Sequence, residues 1–307
     1  MIPAVAAIRT WFEALPPNAR GLLWNLMSAF AFMSMIMLVR YMSKGYNTGE
    51  LFFWRAAIGL VLFMPVVLRA GPTLFRTRRA GLHVFRNLMH FVGIACWFYA
   101  VAAMNLSMAM ALQFTIPLFT IVLAILFLGE KVEPARWLAT AIGFAGVLII
   151  LRPGMEPITL AAVMALVSAV GYAGSNVTTK ALVREDAGDT VVFYMNLMHV
   201  PMALVLAEVL GGLKLPPLAD LPWLIAIGAC GTAAHWLMAR ALSVADASLV
   251  VIIDFTKLPW VTLGALVIFG EAPVVWAWVG GAVIFFATFY IARREARAKA
   301  PAAKGTK

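Results

Sequence analysis

Gln113-Phe-Thr-Ile-Pro-Leu-Phe-Thr-Ile-Val-Leu-Ala-Ile-Leu-Phe-Leu-Gly-Glu130 returns later as Asp254-Phe-Thr-Lys-Leu-Pro-Trp-Val-Thr-Leu-Gly-Ala-Leu-Val-Ile-Phe-Gly-Glu271. Phe-Thr aligns with Phe-Thr and the closing Gly-Glu with Gly-Glu, at a constant offset of 141 from Gln113 to Asp254. Each copy is an apolar run long enough to cross a bilayer, entered through a polar residue and closed by a turn. The echo extends outward. Leu51-Phe-Phe-Trp54 answers Val191-Val-Phe-Tyr194 and Ser28-Ala29 answers Ser168-Ala169, both at 140, while Asn105 and Ser107 answer Asp246 and Ser248 at 141. Apolar runs resemble one another by chance, but shared words at one offset in several spans do not arise that way. The chain is built from two like halves.

Composition says what medium those halves occupy. Of 307 residues, 63% are apolar and only 12% charged, with mean hydropathy +0.92. A soluble domain needs about a quarter of its residues charged, so the chain is membrane-embedded. At ~20 apolar residues per crossing, the pattern predicts spans at 22–41, 50–70, 82–102, 107–128, 134–151, 158–180, 190–211, 221–242, 248–269 and 274–292. Asn105-Leu-Ser107 separates the third from the fourth, and Arg152-Pro-Gly154 ends the fifth. Pro134 and Pro273 are expected to open the fifth and tenth, where a missing N–H costs nothing.

The loop charges orient this map. With the N-terminus inside, Arg9, Arg20, Arg69, Arg76, Arg78, Arg79, Lys131, Arg136, Lys180, Arg184, Arg240 and six tail residues fall on the inner side. Arg40, Lys44, Arg152 and Lys214 fall outside, and Arg55, Arg86 and Lys257 lie within spans, which accounts for all 24 Lys and Arg. That asymmetry predicts a multi-pass inner-membrane protein with both termini cytoplasmic. It also explains the net charge of +10 without nucleic acid as a partner. Five spans per half is an odd number, so the second half enters from the opposite side. The expected fold is an all-α integral membrane protein of ten transmembrane helices in two inverted five-helix repeats. The expected segments are a cytoplasmic 1–21, a first repeat at 22–152, a second at 153–292 and a basic tail at 293–307. Such repeats alternate access by exchanging conformations. The N-terminus reads as an interfacial helix (Arg9, Trp11, Phe12, Glu13, Leu15), since the apolar start from Ile2 to Ile8 is too short for a cleavable signal. Cys96 and Cys230 read as small buried hydrophobes, and neither gives a metal-ligand spacing.

The five-plus-five organisation, the Leu-Gly-Glu130 and Phe-Gly-Glu271 closures, and Gly143-Phe-Ala-Gly-Val-Leu-Ile-Ile-Leu-Arg-Pro-Gly154 resemble the EamA branch of the drug/metabolite transporter superfamily, over roughly residues 20 to 295. Within it, His83-Val-Phe-Arg86 and Asp254-Phe-Thr-Lys-Leu-Pro259 resemble bacterial importers of the S-adenosylmethionine and riboflavin type. The branch also contains exporters of amino acids and other metabolites. The resemblance implies a secondary transporter of a small metabolite without a cofactor, and leaves proton coupling or counter-substrate exchange open as its drive.

Ionisable groups inside spans are costly and therefore mark function by default. Asp254 and Lys257 are one turn apart and close enough to pair. They read as substrate or coupling ligands facing a central cavity, or else as a self-satisfied pair that fixes packing. The first reading is preferred, because apolar residues pack more cheaply. Gln113 stands where Asp254 has its counterpart, so the halves match in architecture and differ in charge. Arg86 and His90 share a face with Gly93 and Trp97, a stripe able to meet a zwitterionic or aromatic ligand. Arg86 can instead snorkel from the cytoplasmic end. Arg55, near the outer end of its span, reads as a snorkelling or gating residue. His199 and His235 fall near mid-membrane, where a lone histidine is usually a hydrogen-bonded core residue; His235 is kept as a gating or coupling candidate. Tyr172 and Asn176, with Ser168, Ser175 and Thr179, form one polar face, and Trp24, Asn25 and Ser28 another. Both faces either line the cavity or bond between helices.

Elsewhere structure is the expectation. Trp223, Trp276 and Trp278 are belt anchors, Glu130 and Glu271 cap helix ends, and Ala139-x-x-x-Gly143 and Ala277-x-x-x-Gly281 allow close helix approach, as a scaffold or as a homodimer contact. No catalytic constellation or metal cluster is present in the sequence. The reading from a different class is an integral-membrane enzyme acting on a lipid or amphipathic substrate. The favoured one is a transporter of a zwitterionic or carboxylate-bearing metabolite, amino-acid-like or nucleoside-derived.

Overall fold

The computed structural model describes residues 12–128, 134–183, 185–244 and 256–299. Asp254, Glu130, Asp246 and Ser248, the first eleven residues, Arg184 and the end of the tail lie outside the described residues. Among the described residues eleven α-helices follow in order: α1 Pro17–Met42, α2 Thr48–Ala70, α3 Ala80–Ala103, α4 Leu106–Gln113, α5 Ile116–Leu128, α6 Pro134–Leu151, α7 Leu160–Leu182, α8 Gly188–Val209, α9 Leu221–Val244, α10 Lys257–Phe269 and α11 Val275–Lys299. Among the described residues no strand forms. Backbone polar groups in hydrocarbon must be satisfied within the segment, and helices alone do this without closing a barrel.

Among the described residues, seven helical stretches are long and apolar enough to span a membrane, with Leu106–Leu123 taken as one across α4 and α5. Three further predicted spans appear as shorter apolar helices, Trp137–Leu151, Lys257–Phe269 and Val275–Ile291. The predicted span at 248–269 is described only from Thr256 onward. Pro134 opens α6 as expected, whereas the last helix begins at Val275, two residues beyond Pro273.

Local chemistry sets the breaks. Asn105 caps α4, its Oδ1 accepting from Ser107 N at 3.0 Å. Asn47 and Glu50 form a reciprocal capping box on α2, at 2.9 and 2.8 Å. The fourth predicted span stops at Phe114-Thr115, where Thr115 Oγ1 donates to Leu112 O at 2.7 Å, and restarts at Ile116 with Pro117 in its first turn. The offset of 141 carries α5, Ile116–Leu128, onto α10, Lys257–Phe269, end for end.

Packing repeats the same relation. The most extensive helix contacts are α1 with α9, α3 with α7, α6 with α11 and α2 with α8. Exchanging the first set of helices for the second turns the α1–α9 contact into the α3–α7 contact and maps the other two onto themselves. In a bilayer helices associate through close backbone approach, because lipid is as apolar as leucine. Gly93 meets Gly171 and Tyr172 across α3 and α7, Gly49 lies on the backbone of Ala207 across α2 and α8, and Gly146 meets Gly280 across α6 and α11. The close approach expected of the last pair is therefore real, but shifted in register: Gly143 faces Leu118, and Gly281 faces Leu258.

Candidate functional site

Seven helices deliver polar side chains to the middle of the bundle. On α3, Arg86, His90, Gly93 and Trp97 fall on one face, and all four are buried. Asn196 and His199 lie one turn apart on α8, and Thr232 and His235 one turn apart on α9. Arg55 comes from α2, Ser168 and Tyr172 from α7, Gln113 from α4 and Lys257 from α10.

His90 is the hub. Its ring lies 5.2 Å from that of His199 at an interplanar angle of 19°, and meets His235 at 4.9 Å and Tyr172 at 5.3 Å edge-on. His199 Nε2 is 3.3 Å from Asn87 O, and Asn87 Nδ2 reaches Met198 Sδ at 3.2 Å. Trp97 stacks on Phe32 at 6.4 Å, and Lys257 Nζ stands 5.1 Å from the Phe32 centroid. Gln113 Nε2 donates to Ser168 Oγ at 2.8 Å. Arg86 donates through Nε to Thr179 Oγ1 at 3.1 Å and through Nη1 to Asn87 Oδ1 at 2.8 Å. Arg55 and Arg86 lie within electrostatic reach of all three imidazoles, and Lys257 within reach of His235.

Much hydrogen-bonding capacity remains unused. Arg55 is 1% exposed, yet its Nε, Nη1 and Nη2 have no hydrogen-bond partner among the described residues. The same holds for both amide atoms of Asn196, Thr232 Oγ1, Trp97 Nε1, Gln113 Oε1 and the Nδ1 atoms of His90 and His199. Each such group costs ~1–3 kcal/mol, and an arginine at the centre of a membrane helix costs about 3 kcal/mol even on lenient scales. Two glycines admit these side chains against the helix backbones. A Cβ at Gly231 would stand 2.6 Å from Arg55 Nε, and one at Gly59 would strike Thr232 Oγ1 and stand 3.2 Å from Asn196 Oδ1.

The candidates from sequence divide accordingly. Arg55, Arg86, His90, Trp97, Gln113, Tyr172, His235 and Lys257 all belong to this region. Snorkelling is excluded for Arg55 and Arg86, because both are buried. Three candidates make other contacts or none that is described. Trp24 packs on Phe12 and Trp236, Ser28 Oγ spends its hydrogen on Ala234 O at 2.7 Å, and Asn176 is exposed. Glu271 caps α4 rather than the helix that follows it, accepting from Leu106 N at 2.9 Å. Sequence reasoning missed Asn196 and Thr232 and treated His199 as a lone core residue. A signal was present in Asn87-Leu-Met-His90 and Asn196-Leu-Met-His199, one tetrapeptide on two helices whose imidazoles stack. Its spacing is not the repeat's, so a search at 140 or 141 passes over it. Among the described residues, no three His, Cys, Asp or Glu side chains are arranged to hold a metal ion.

The sequence profile of the EamA-like transporter family matches residues 19–152 and again 159–293. A riboflavin transporter of Rhizobium johnstonii is 32% identical over 281 residues, covering 90% of this chain and 92% of that protein. An S-adenosylmethionine uptake transporter of Rickettsia bellii is 26% identical over 286 residues, covering 93% and 98%. A solved crystal structure superposes with a TM-score of 0.62 at 17% identity, across 91% of this chain and 99% of that one, a likeness of fold alone.

Proposed function

We propose that this chain, which belongs to the EamA-like transporter family, carries a flat, nucleoside-derived metabolite of the riboflavin type across the inner membrane by alternating access. The observation that carries the reading is the central set of buried, unpartnered polar groups interleaved with aromatic rings. His90, Trp97 and Tyr172 supply ring faces, Arg55 and Gln113 supply unused donors and acceptors, and Arg86 and Lys257 make the site electropositive. The name of the riboflavin transporter relative supports the same class of substrate.

The two matched segments, the helix contacts that interconvert when the halves exchange, and the loop charges support ten crossings in two inverted repeats, 22–152 and 153–292, with both termini cytoplasmic. In this arrangement Asp254, one turn before Lys257 in sequence, is the proposed coupling acid for a proton or counter-substrate, with His235 beside it in role. A second reading, a carboxylate-bearing or zwitterionic substrate, is favoured by the buried guanidinium of Arg55 and by the relative named for S-adenosylmethionine.

Purified protein in sealed vesicles should accumulate labelled riboflavin and release it chemically unchanged. Uptake of S-adenosylmethionine in its place supports the second reading. An altered product points to the membrane-enzyme alternative.

A further inference from the structure

Arg55, Asn196 and Thr232 come from three helices, α2, α8 and α9, and meet around two glycines. Gly59 lies one turn from Arg55 and faces Asn196 Oδ1 and Thr232 Oγ1, while Gly231 adjoins Thr232 and faces Arg55 Nε. All three side chains are more than nine-tenths buried, and none of their polar atoms except the backbone has a partner among the described residues. We infer that this trio is a recognition subsite for a cyclic imide edge, the C=O, N–H, C=O sequence found on one side of a pyrimidinedione ring.

Donor and acceptor order decides for that chemistry. An imide edge presents an acceptor, a donor and an acceptor. The Asn196 amide offers its Oδ1 to the ring N–H and its Nδ2 hydrogens to one carbonyl, and the Arg55 guanidinium or the Thr232 hydroxyl donates to the other. A carboxylate would engage Arg55 but would set acceptor against acceptor at Asn196 Oδ1. Sites that hydrogen-bond a ligand N–H reject analogues lacking it, because the buried acceptor is then left unpaired. His199 and His235 stand one turn beyond Asn196 and Thr232 on the same helices, and both rings pack against His90.

This inference rests on the riboflavin-type reading, whose ring system carries such an edge. The test measures binding of riboflavin and of 3-methylriboflavin, in which the imide N–H is blocked, to the purified full-length protein by ligand fluorescence quenching. The wild type should bind the methylated compound at least about 10-fold more weakly. Asn196→Leu should weaken riboflavin binding to a similar extent and abolish the difference between the two ligands. Equal binding of both by the wild type overturns the subsite while leaving the riboflavin reading intact, and it does so without any variant. No riboflavin binding by the wild type overturns both. Retained discrimination in Asn196→Leu also overturns the assignment.

Discussion

The rim of the bundle and its centre treat polar groups in opposite ways. At the end where α1, α3 and α10 terminate, Glu271 receives Arg40 Nη2 at 2.6 Å, Arg40 Nε at 3.0 Å and Leu106 N at 2.9 Å. There too Glu50 accepts from Asn47 N at 2.8 Å and Lys214 N at 3.1 Å, and Tyr46 donates to Asp220 at 2.7 Å. At the opposite end Asp186 is met by Thr77 Oγ1 at 2.7 Å and His83 Nε2 at 2.8 Å, and Arg79 pairs with Glu185. Between these ends, Arg55, Asn196 and Thr232 are buried with their side-chain polar atoms unmatched among the described residues. The rim joins the halves to each other with hydrogen bonds and ion pairs, whereas these central groups have no such partner among the described residues. A protein whose stability came from its centre would not leave its most expensive charge there unpaired.

The sharpest way to break this contrast is to remove the central charge. Arg55→Leu should lower riboflavin uptake by roughly 100-fold or more, while the melting temperature in detergent stays level or rises, because an apolar side chain replaces a buried guanidinium that has no partner. A comparable loss of fold stability would mean that Arg55 is structural.

The rim should respond the other way. Glu271→Ala leaves Arg40 Nε and Leu106 N unpaired, and the carboxylate's charge-assisted bonds are worth ~1.5–3 kcal/mol each when buried. The side chains here are partly exposed, so a net loss of roughly 2 kcal/mol is expected after solvent screening. It should appear as a clear fall in melting temperature, with substrate affinity within about 3-fold of wild type. An affinity loss exceeding the stability loss would move Glu271 into the site.

The smallest effect belongs to Tyr46. Burial and its hydrogen bond to Asp220 push the phenol from its ordinary value of 10.0 up to about 12. The folded state thus holds this proton more tightly than the unfolded chain. The contribution is complete below pH 10 and lost as pH rises through about 12. Tyr46→Phe should cost about 1 kcal/mol near neutral pH, and its melting temperature should converge with wild type between pH 10 and 12. A constant difference across that range would show that the bond carries no linked proton.

Reading the chain by itself reached far into the fold and unevenly into the site. The shared word Phe-Thr marks where the fourth predicted span breaks, and the offset between Gln113 and Asp254 carries α5 onto α10 residue for residue. Arg86, His90 and Trp97 were legible because helical spacing puts them on one face. Ser28 and Asn176 were read by the same rule, but a polar face announces a bond without naming its partner. Ser28 found Ala234 O, and Asn176 is exposed.

Hydrophobic length, loop charge and repeat offset are properties of the chain read in order. They determined that this protein is helical, membrane-embedded and made of two like halves. Which side chains would stand together was decided by the tertiary structure, because glycines that let helices touch set the rotation of each helix about its axis. Gly59 and Gly231 are unremarked letters in an apolar sequence. In the folded bundle they make the room in which Arg55, Asn196 and Thr232 meet.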